Sequence, residues 1–246
     1  CGDTGAGKMP EPETLLNYIL RECACEKDMK GLKVLVTAGP TQEAIDPVRY
    51  ITNHSSGKMG YAIAKMAMLR GADVTLVSGR TALTPPPFVR VVPVVTARDM
   101  YEAVTSVSQE QDIIIKAAAV ADYRPASVSD EKIKKKDDDM SIALERTDDI
   151  LKYLGEHKPD GQFLCGFSME TENMIGNSRV KLTRKNLDMV AANNVKMAGA
   201  GFQGDTNVLT LITQDEDVSL QLMSKEDAAN VILDKILSIQ KEREEQ

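Results

Sequence analysis

KVLVTAGPTQEAIDPVRYITNHSSGKMGYAIAKMAMLRGADVTLV, residues 33–77, decides the fold. Lys33 to Thr37 is a short apolar run of the kind a strand buried on both faces requires. Residues 38–56 read as a long polar loop. From Gly57 to Arg70 apolar side chains recur at helical spacing, with Met59, Ile63, Met66 and Ala67 facing inward, and Gly71 supplies a stop. Asp73 to Val77 is a second strand. Strand, long loop, helix and strand in that order open a βαβ crossover, and a crossover implies a parallel sheet.

The pattern continues outward. Val89 to Val94 reads as a strand after the stiff TPPP turn at 84–87. Ala97 to Ser108 reads as a helix with Met100, Val104 and Val107 inward, and Asp112 to Lys116 as a central strand. Beyond Ala117 a small-residue loop leads into the charged run EKIKKKDDD, 131–139, and a short strand is expected at Ser141–Leu144. A helix is expected over Asp148–His157, a strand over Gln162–Phe167, a largely helical stretch over Glu170–Lys185 and a strand over Leu187–Ala191. Asn207–Thr213 and Asp217–Leu220 form an antiparallel pair, and Ser224 caps a final helix whose inner face carries Val231, Ile232 and Ile236. The sum is an α/β protein: a three-layer, Rossmann-like, mostly parallel sheet with an antiparallel extension.

Residues 1–10, CGDTGAGKMP, are Gly-rich and patternless, Glu11 to Glu22 can form a short helix, and Cys23 to Gly31 is a polar linker. This opening reads as cut from something larger. Gly2-x4-Gly7-Lys8 imitates a nucleotide-binding P-loop, but Met9 stands where a magnesium-binding hydroxyl belongs. No strand precedes it, and Pro10 and Pro12 interrupt the helix that should follow. No Pro/Gly/Ser linker divides the rest, so one domain is expected after it.

Composition narrows the function. The 246 residues carry 30 Lys and Arg against 37 Asp and Glu, a net charge of -7, which disfavours a duplex nucleic-acid binder and predicts no nucleic-acid partner. No apolar run reaches the ~20 residues of a membrane helix, and no secretory signal is present, so no membrane partner is expected. Four Cys, three of them before residue 26, make no disulfide framework, and two His give no zinc set. A reducing cytoplasm is the expected location. The sequon Asn53-His54-Ser55 is then accidental.

In an open parallel sheet, ligands bind beyond the carboxyl ends of the strands. Two long loops leave such ends. The first, Thr37 to Gly60, ends in SSGKMG at the start of a helix. There Ser55, Ser56 and Gly57 can offer hydroxyls and backbone N–H groups to a phosphate, and the simpler alternative is a serine cap. Asn53 can orient a carbonyl or an amine, and Arg49 can hold a carboxylate or phosphate; loop bracing is the alternative for both. The second loop, AAAVADYRP, 117–125, begins with Ala117, Ala118 and Ala119, small enough for a planar base to approach. Asp122 can accept from a base or ribose. Lys132 and Lys134 flank Ile133, so a lysine segment anchored there can close over a polyphosphate; Lys135 and Lys136 read as solvated surface. Lys181 and Lys185 share one helix face and can clamp phosphates or balance nearby acids. Phe167 can stack on a base, against a stronger alternative in core packing. No Ser-His-Asp or Cys-His set can be assigned, and a compact GxGxxG is missing after Thr37.

VTAGPTQEAIDPVRYITNHSSGKMG (36–60), ADVTLVSG (72–79), AAAVADYRP (117–125), EKIKKK (131–136), GFSMET (166–171) and RKNLDMVAANNV (184–195) together resemble the bacterial phosphopantothenate–cysteine ligase domain, the C-terminal part of a bifunctional coenzyme A biosynthesis flavoprotein. The resemblance runs from about Lys33 to the C-terminus. It implies that residues 1–30 are the closing segment of a decarboxylase domain plus a linker, and 31–246 the ligase domain. FMN would belong only to the missing decarboxylase body, to whose substrate clamp Cys1 corresponds. It further implies an amide bond made between 4'-phosphopantothenate and L-cysteine through an acyl-cytidylate, with CTP as co-substrate, Mg²⁺ as cofactor, and CMP and pyrophosphate released. In the implied roles Asn53 assists the second step and Lys132 serves acyl-cytidylate formation. Ala117, Ala118, Ala119, Asp122, Phe167, Lys181 and Lys185 surround the nucleotide, and Arg49, Ser55, Ser56 and Gly57 lie on the phosphopantothenate side. No metal ligands are assigned, and the family is a homodimer. The family's Asn-Pro-Asp turn reads Thr147-Asp148-Asp149 here, which weakens a nucleotide contact from that turn. The rival readings are a Rossmann-type nucleotide-dependent oxidoreductase and a noncatalytic partner domain of a flavoprotein.

Overall fold

A computed structural model describes residues 7, 9–135, 139–170, 172–194 and 204–245. Cys1, Gly2 and Lys8 of the opening and Lys136 of the lysine run lie outside them. In chain order the main sheet is built from β1 (Lys33–Ala38), β4 (Asp73–Ser78), β5 (Arg90–Pro93), β6 (Ile113–Lys116), β9 (Phe163–Glu170), β10 (Met189–Asn194), β12 (Leu209–Ile212) and β13 (Asp217–Ser219). Short pairs lie outside it: β2 (Gln42–Ala44) with β3 (Tyr50–Thr52), β7 (Tyr123–Pro125) with β8 (Leu144–Arg146), and β11 (Thr206–Asn207) with β14 (Met223–Ser224). The helices are α1 (Pro12–Cys23), α2 (Lys58–Leu69), α3 (Ala97–Thr105), α4 (Ile150–Glu156), α5 (Met174–Arg184) and α6 (Lys225–Glu244).

Across the sheet the order is β13-β12-β10-β9-β6-β1-β4-β5. The strands from β5 to β10 are parallel, and β12 and β13 add on antiparallel. Counting only the parallel strands in chain order gives 3-2-1-4-5-6, the dinucleotide-fold order, with its switch point between β1 and β6. The central strands are apolar on both sides, so both faces need cover. Val34, Val36, Ile113, Ile115, Phe163 and Cys165 pack under α2 and α6. Leu35, Ile114 and Leu164, on the opposite pleats, pack under α3, α4 and α5. The three-layer expectation is met.

Several boundaries move. The polar loop after β1 contains the β2–β3 hairpin, whose strands are three residues each. The strand expected at 141–144 lies at Leu144–Arg146, where it pairs with Tyr123–Pro125 across the charged run. β9 continues to Glu170 because it stays paired with β10 up to Asn194, and α5 begins only at Met174. Ahead of the sheet, Met29 is fully buried and Asp28 pairs with Arg70 at 2.5 Å. By contrast α1 buries no residue and leaves Leu16, Ile19 and Leu20 exposed.

α2 lies tightly on β1 because Gly60 has no side chain. A Cβ there would come within 2.6 Å of Ala38 Cβ and 2.9 Å of the Thr37 carbonyl oxygen. Both partners are backbone-fixed strand atoms, so relief requires helix displacement. Gly60→Ala should therefore destabilise the domain by about 1–3 kcal/mol despite the better helix propensity of alanine. Chemical denaturation monitored by circular dichroism checks this, and unchanged or raised stability would contradict the close packing.

Candidate active site

The loops that leave β1 and β6 meet at the switch point. Pro40 and Ala119 form a parallel bridge, the Thr41 amide donates to the Ala119 carbonyl at 3.3 Å, and the Ala119 amide donates to the Gly39 carbonyl at 3.0 Å. Side chains reinforce the seam. Thr37 Oγ1 accepts from the Ala118 amide at 3.1 Å and Thr41 Oγ1 from the Ala121 amide at 3.0 Å. Asn53 Nδ2 donates to the Val120 carbonyl at 3.0 Å. Asn53 and the alanine loop, placed together by expectation, are thus joined directly.

The lysine flap is tied to the first loop by one carboxylate. Asp46, whose side chain is wholly buried, accepts from the amides of Val48 and Arg49 at 2.8 Å each and from Arg49 Nε at 2.9 Å. It also accepts from Arg49 Nη2 and, at 3.1 Å, from the Ile133 amide. Arg49 Nη2 closes the ring by donating to the Ile133 carbonyl at 2.9 Å. The Arg49 guanidinium, helped by these amides, holds the Asp46 carboxyl far below the usual carboxylate range. Sequence reasoning passed over Asp46. Its signal was the Asp-Pro-x-Arg run, an Asx turn with a basic partner three residues on. Arg49, expected on the phosphopantothenate side, spends two of its nitrogens on this knot. Ile133 anchors the flap between exposed Lys132 and Lys134, as its apolar character suggested.

At the start of α2, Gly57 has a φ of 78°, and a Cβ there would meet Thr81 Cγ2 at 2.7 Å. Ser55 Oγ accepts from the Gly57 amide at 3.3 Å and Ser56 Oγ from the Lys58 amide at 3.4 Å. The serines therefore cap the turn themselves. The first turn of α2 carries no acid, so its amide end stays electropositive. Lys58 pairs with Asp205 at 2.7 Å.

A second cluster lies on the α3/α4/α5 side. Asp149 caps α4 through the Lys152 amide at 3.0 Å and pairs with Lys185 Nζ at 2.8 Å. Burial works against its charge, yet Lys185 and the Lys152 amide hold its carboxyl below the usual range. Lys181 Nζ donates to the Phe167 carbonyl at 2.7 Å. The Phe167 ring packs against the core under α2 and α6, so only its carbonyl reaches the lysines. Asp122 is exposed, and its carbonyl accepts from the Thr147 amide at 3.0 Å, while Thr147 Oγ1 donates to the Ala121 carbonyl at 2.6 Å. The Thr-Asp-Asp turn is thereby fastened to the alanine loop. Lys116, read from sequence only as the end of a strand, belongs here too. Burial pushes its ammonium pKa down to about 7, aided by Lys181 and Lys185 and opposed by Asp149 and Asp122.

Cys165 is no nucleophile here. Burial pushes the Cys165 thiol up to about 12, which leaves it protonated and inert. Among the described residues no group of three His, Cys, Asp or Glu is placed to hold a metal ion. What remains is a crevice of backbone donors, one bridging amide and several lysines, suited to fixing and polarising an anionic substrate.

The sequence model of the DNA/pantothenate metabolism flavoprotein C-terminal domain matches residues 29–239. The chain belongs to that family. It is 47% identical to the coenzyme A biosynthesis bifunctional protein CoaBC of Bacillus subtilis, over 98% of this chain and 60% of that protein. It is 46% identical to the protein of the same name from Escherichia coli K12, over 97% of this chain and 59% of that one. It therefore spans about three fifths of these relatives' length. A crystal structure of the C-terminal domain of a CoaBC protein superimposes with a TM-score of 0.74 at 46% identity, covering 89% of this chain and 98% of that one. The family fold is the one described above.

The Asp46 knot makes a local prediction. Asp46→Asn keeps the shape but removes the charge and puts an amide donor where one of the two accepting oxygens stood, and it should loosen the flap. Hydrogen exchange at the Ile133 amide should quicken by about tenfold or more while the β1 and β6 amides stay protected. Acidification should loosen the unaltered protein likewise, read as a fall in the protection factor of the Ile133 amide relative to its intrinsic exchange rate at each pH. The carboxyl is lowered in the folded state, so its contribution is complete above the ordinary value of 3.8 and fades as pH falls below it. Uniform exchange across flap and sheet in the variant would contradict a local tether.

Proposed function

We propose that this domain is a phosphopantothenate–cysteine ligase acting in coenzyme A biosynthesis. Its substrates in this reading are 4'-phosphopantothenate, L-cysteine and Mg–CTP. It is supported by the bond that joins the Asn53 loop to the alanine loop at the switch point and by the Asp46–Arg49 tether that ties the flap at Ile133 to that same first loop, within a family whose relatives bear coenzyme A biosynthesis names.

The chemistry follows from what a carboxylate lacks. Oxide is too poor a leaving group for direct attack by an amine. A phosphopantothenate carboxylate oxygen first attacks the α-phosphorus of CTP, forming a C(O)–O–P bond as the α,β bridge breaks and pyrophosphate departs. The cysteine amine then attacks the acyl carbon, the acyl C–O bond breaks, and CMP leaves with that oxygen while the amine's proton passes to solvent or base. The first step needs positive charge over the departing phosphates and little covalent help. Lys132 on the tethered flap supplies it, and Lys181 and Lys185 stand on the nucleotide side with Asp122 and the backbone of Ala117, Ala118 and Ala119. The amide end of α2 with Ser55, Ser56 and Gly57 receives the phosphate of phosphopantothenate. Arg49, with 41% of its side chain exposed, can serve that anion while it tethers the flap. Asn53 stands between the loops to orient the acyl group for the amine. Mg²⁺ would enter on the triphosphate.

The active assembly in this reading is a homodimer. Both hairpin arms carry exposed apolar side chains: Val48 and Tyr50 on the first, Tyr123, Ile142 and Leu144 on the second. Such a patch on one side of a small domain is suited to a partner surface. No described helix is long and apolar enough to cross a membrane, and we place the protein in the cytoplasm. Residues 1–30 are assigned to the end of a decarboxylase domain and its linker, whose FMN plays no part in the ligase reaction.

Incubation with 4'-phosphopantothenate, CTP, Mg²⁺ and cysteine should release pyrophosphate in step with amide formation. Asn53→Ala should accumulate acyl-cytidylate, and Lys132→Gln should slow its formation by about 10²–10³-fold. Equal impairment of both steps in both variants would overturn that division of labour, and thermal protection by NAD(P) in place of CTP would overturn the ligase. Leu144→Glu should shift the sedimentation velocity towards a monomer; an unchanged dimer would remove the hairpin arms from the interface.

A further inference from the structure

The loop between β4 and β5 has no part in the reaction as written so far, yet it supports the turn at the head of α2. Thr81, three residues beyond β4, packs its Cγ2 methyl against two glycines. A Cβ at Gly57 would come within 2.7 Å of that methyl, and a Cβ at Gly39 within 2.9 Å. Both glycines hold left-handed backbone, with φ of 78° and 72°. One methyl thus fills the space that two missing side chains leave open, where the end of β1 meets the head of α2. Gly79 lies tighter still: a Cβ on it would stand 2.0 Å from the Pro40 carbonyl oxygen. The turns after β1, before α2 and after β4 are therefore packed as one body.

The Thr81 hydroxyl fixes where the methyl points. Its Oγ1 accepts from the Leu83 amide at 3.3 Å and donates to the Tyr61 hydroxyl at 3.1 Å. Ser78 Oγ donates its own proton to the Gly79 carbonyl at 2.8 Å. At 3.1 Å from Tyr61 it is therefore the acceptor, and the Tyr61 hydroxyl is the donor. The series runs one way, from the Leu83 amide through three hydroxyls to the Gly79 carbonyl. Tyr61 and Ser78 are both buried. Bonds on Oγ1 hold the threonine in one rotamer, and the methyl with it. Glycine at 39 and 57 leaves the backbone amides open to an anion but gives the turn no side chain of its own to steady it. That task falls to Thr81.

We propose, resting on the ligase reading, that Thr81 is a positioning residue for 4'-phosphopantothenate. Its methyl sets Gly39 and Gly57 at the spacing in which the Ser55–Gly57 turn receives the substrate's phosphate, and the hydroxyl series keeps that methyl in place. The phosphate monoester neither makes nor breaks a bond in the reaction, so the turn holds it equally in ground and transition states. Loss of Thr81 then raises KM for 4'-phosphopantothenate and leaves kcat and the other substrates alone.

Steady-state pyrophosphate release, with each substrate varied in turn, tests this on three variants. Thr81→Ser keeps the hydroxyl and removes the methyl. It should raise KM for 4'-phosphopantothenate by about 3–10-fold, while kcat and the KM values for CTP and cysteine stay within about twofold. Thr81→Val carries a methyl on both branches and should rescue that KM to within about twofold of the unaltered protein. Tyr61→Phe frees Thr81 to turn away in search of another acceptor, and should raise the same KM alone by about 2–5-fold. Circular dichroism checks that each variant is folded; should Thr81→Ser fail to fold, Tyr61→Phe decides, and an unchanged KM there would overturn the proposal. An unchanged KM in folded Thr81→Ser would overturn it too. So would Thr81→Val as impaired as Thr81→Ser, or an equal rise in KM for CTP, which would mark a merely structural residue. A working ligase with any of these results loses this inference alone; unaltered protein that makes no amide loses the ligase reading, and this inference with it.

Discussion

Everything distinctive about the site depends on a buried carboxylate being fully satisfied. Asp46 has no exposed side-chain surface and accepts from three backbone amides and the Arg49 guanidinium. A charge so placed is tolerable only with such partners, and removing any one leaves the rest buried and short of donors. The knot joins two segments 87 residues apart, the loop after β1 and the lysine flap. The tether fixes the flap to the first loop at Ile133. A lysine segment without that tether would spread its charge over a large volume, and its effective concentration at the phosphates would fall.

The sheet supplies the other half of the geometry. Because the parallel strands run 3-2-1-4-5-6, the loops after β1 and β6 leave the switch point in divergent directions, and a crevice opens there. In this protein the base of that crevice is sewn shut by the Pro40–Ala119 bridge and the Thr37 and Thr41 hydroxyls. What stays available lies above the seam: the serine turn of α2 towards one face, the Lys181, Lys185 and Asp149 group towards the other. In the proposed reaction two anionic substrates would approach from opposite faces and meet at Asn53, which bridges the loops. Positioning and charge would then carry both proposed steps, with small demand on conventional catalytic groups.

Much of this was legible in the sequence. The alternation of short apolar runs with helical spacing over 33–116 could be satisfied only by a parallel sheet, and the glycine stops and serine caps marked its helices. The Asn53 loop, the alanine loop and the flap were each recognisable as chemistry at strand ends. The rest depended on long-range contacts that local patterns do not encode. The β2–β3 hairpin was invisible because its strands are too short and exposed for alternation to register. The Leu144–Arg146 strand gains its register only from Tyr123–Pro125, more than eighteen residues away. Asp46 resembled any turn aspartate until the flap amide came to it from residue 133. Lys116 resembled the polar end of a strand, since the burial that chiefly lowers it, and Lys181 and Lys185 which add to it, come from parts of the chain far away in sequence. Phe167 also ends a strand, and its ring packs against the core, which was the stronger of its two readings in the sequence.

The central claim is that the carboxylate is activated at the α-phosphorus of a nucleotide held over this crevice. Carboxylate-¹⁸O₂ 4'-phosphopantothenate, turned over with CTP and cysteine and followed by mass spectrometry, tests it most directly. One labelled oxygen should appear in CMP, because the acyl C–O bond breaks after the carboxylate has joined phosphorus. Label found in inorganic phosphate, with CDP as the nucleotide product, would mean an acyl phosphate formed at the γ position, and would contradict the account.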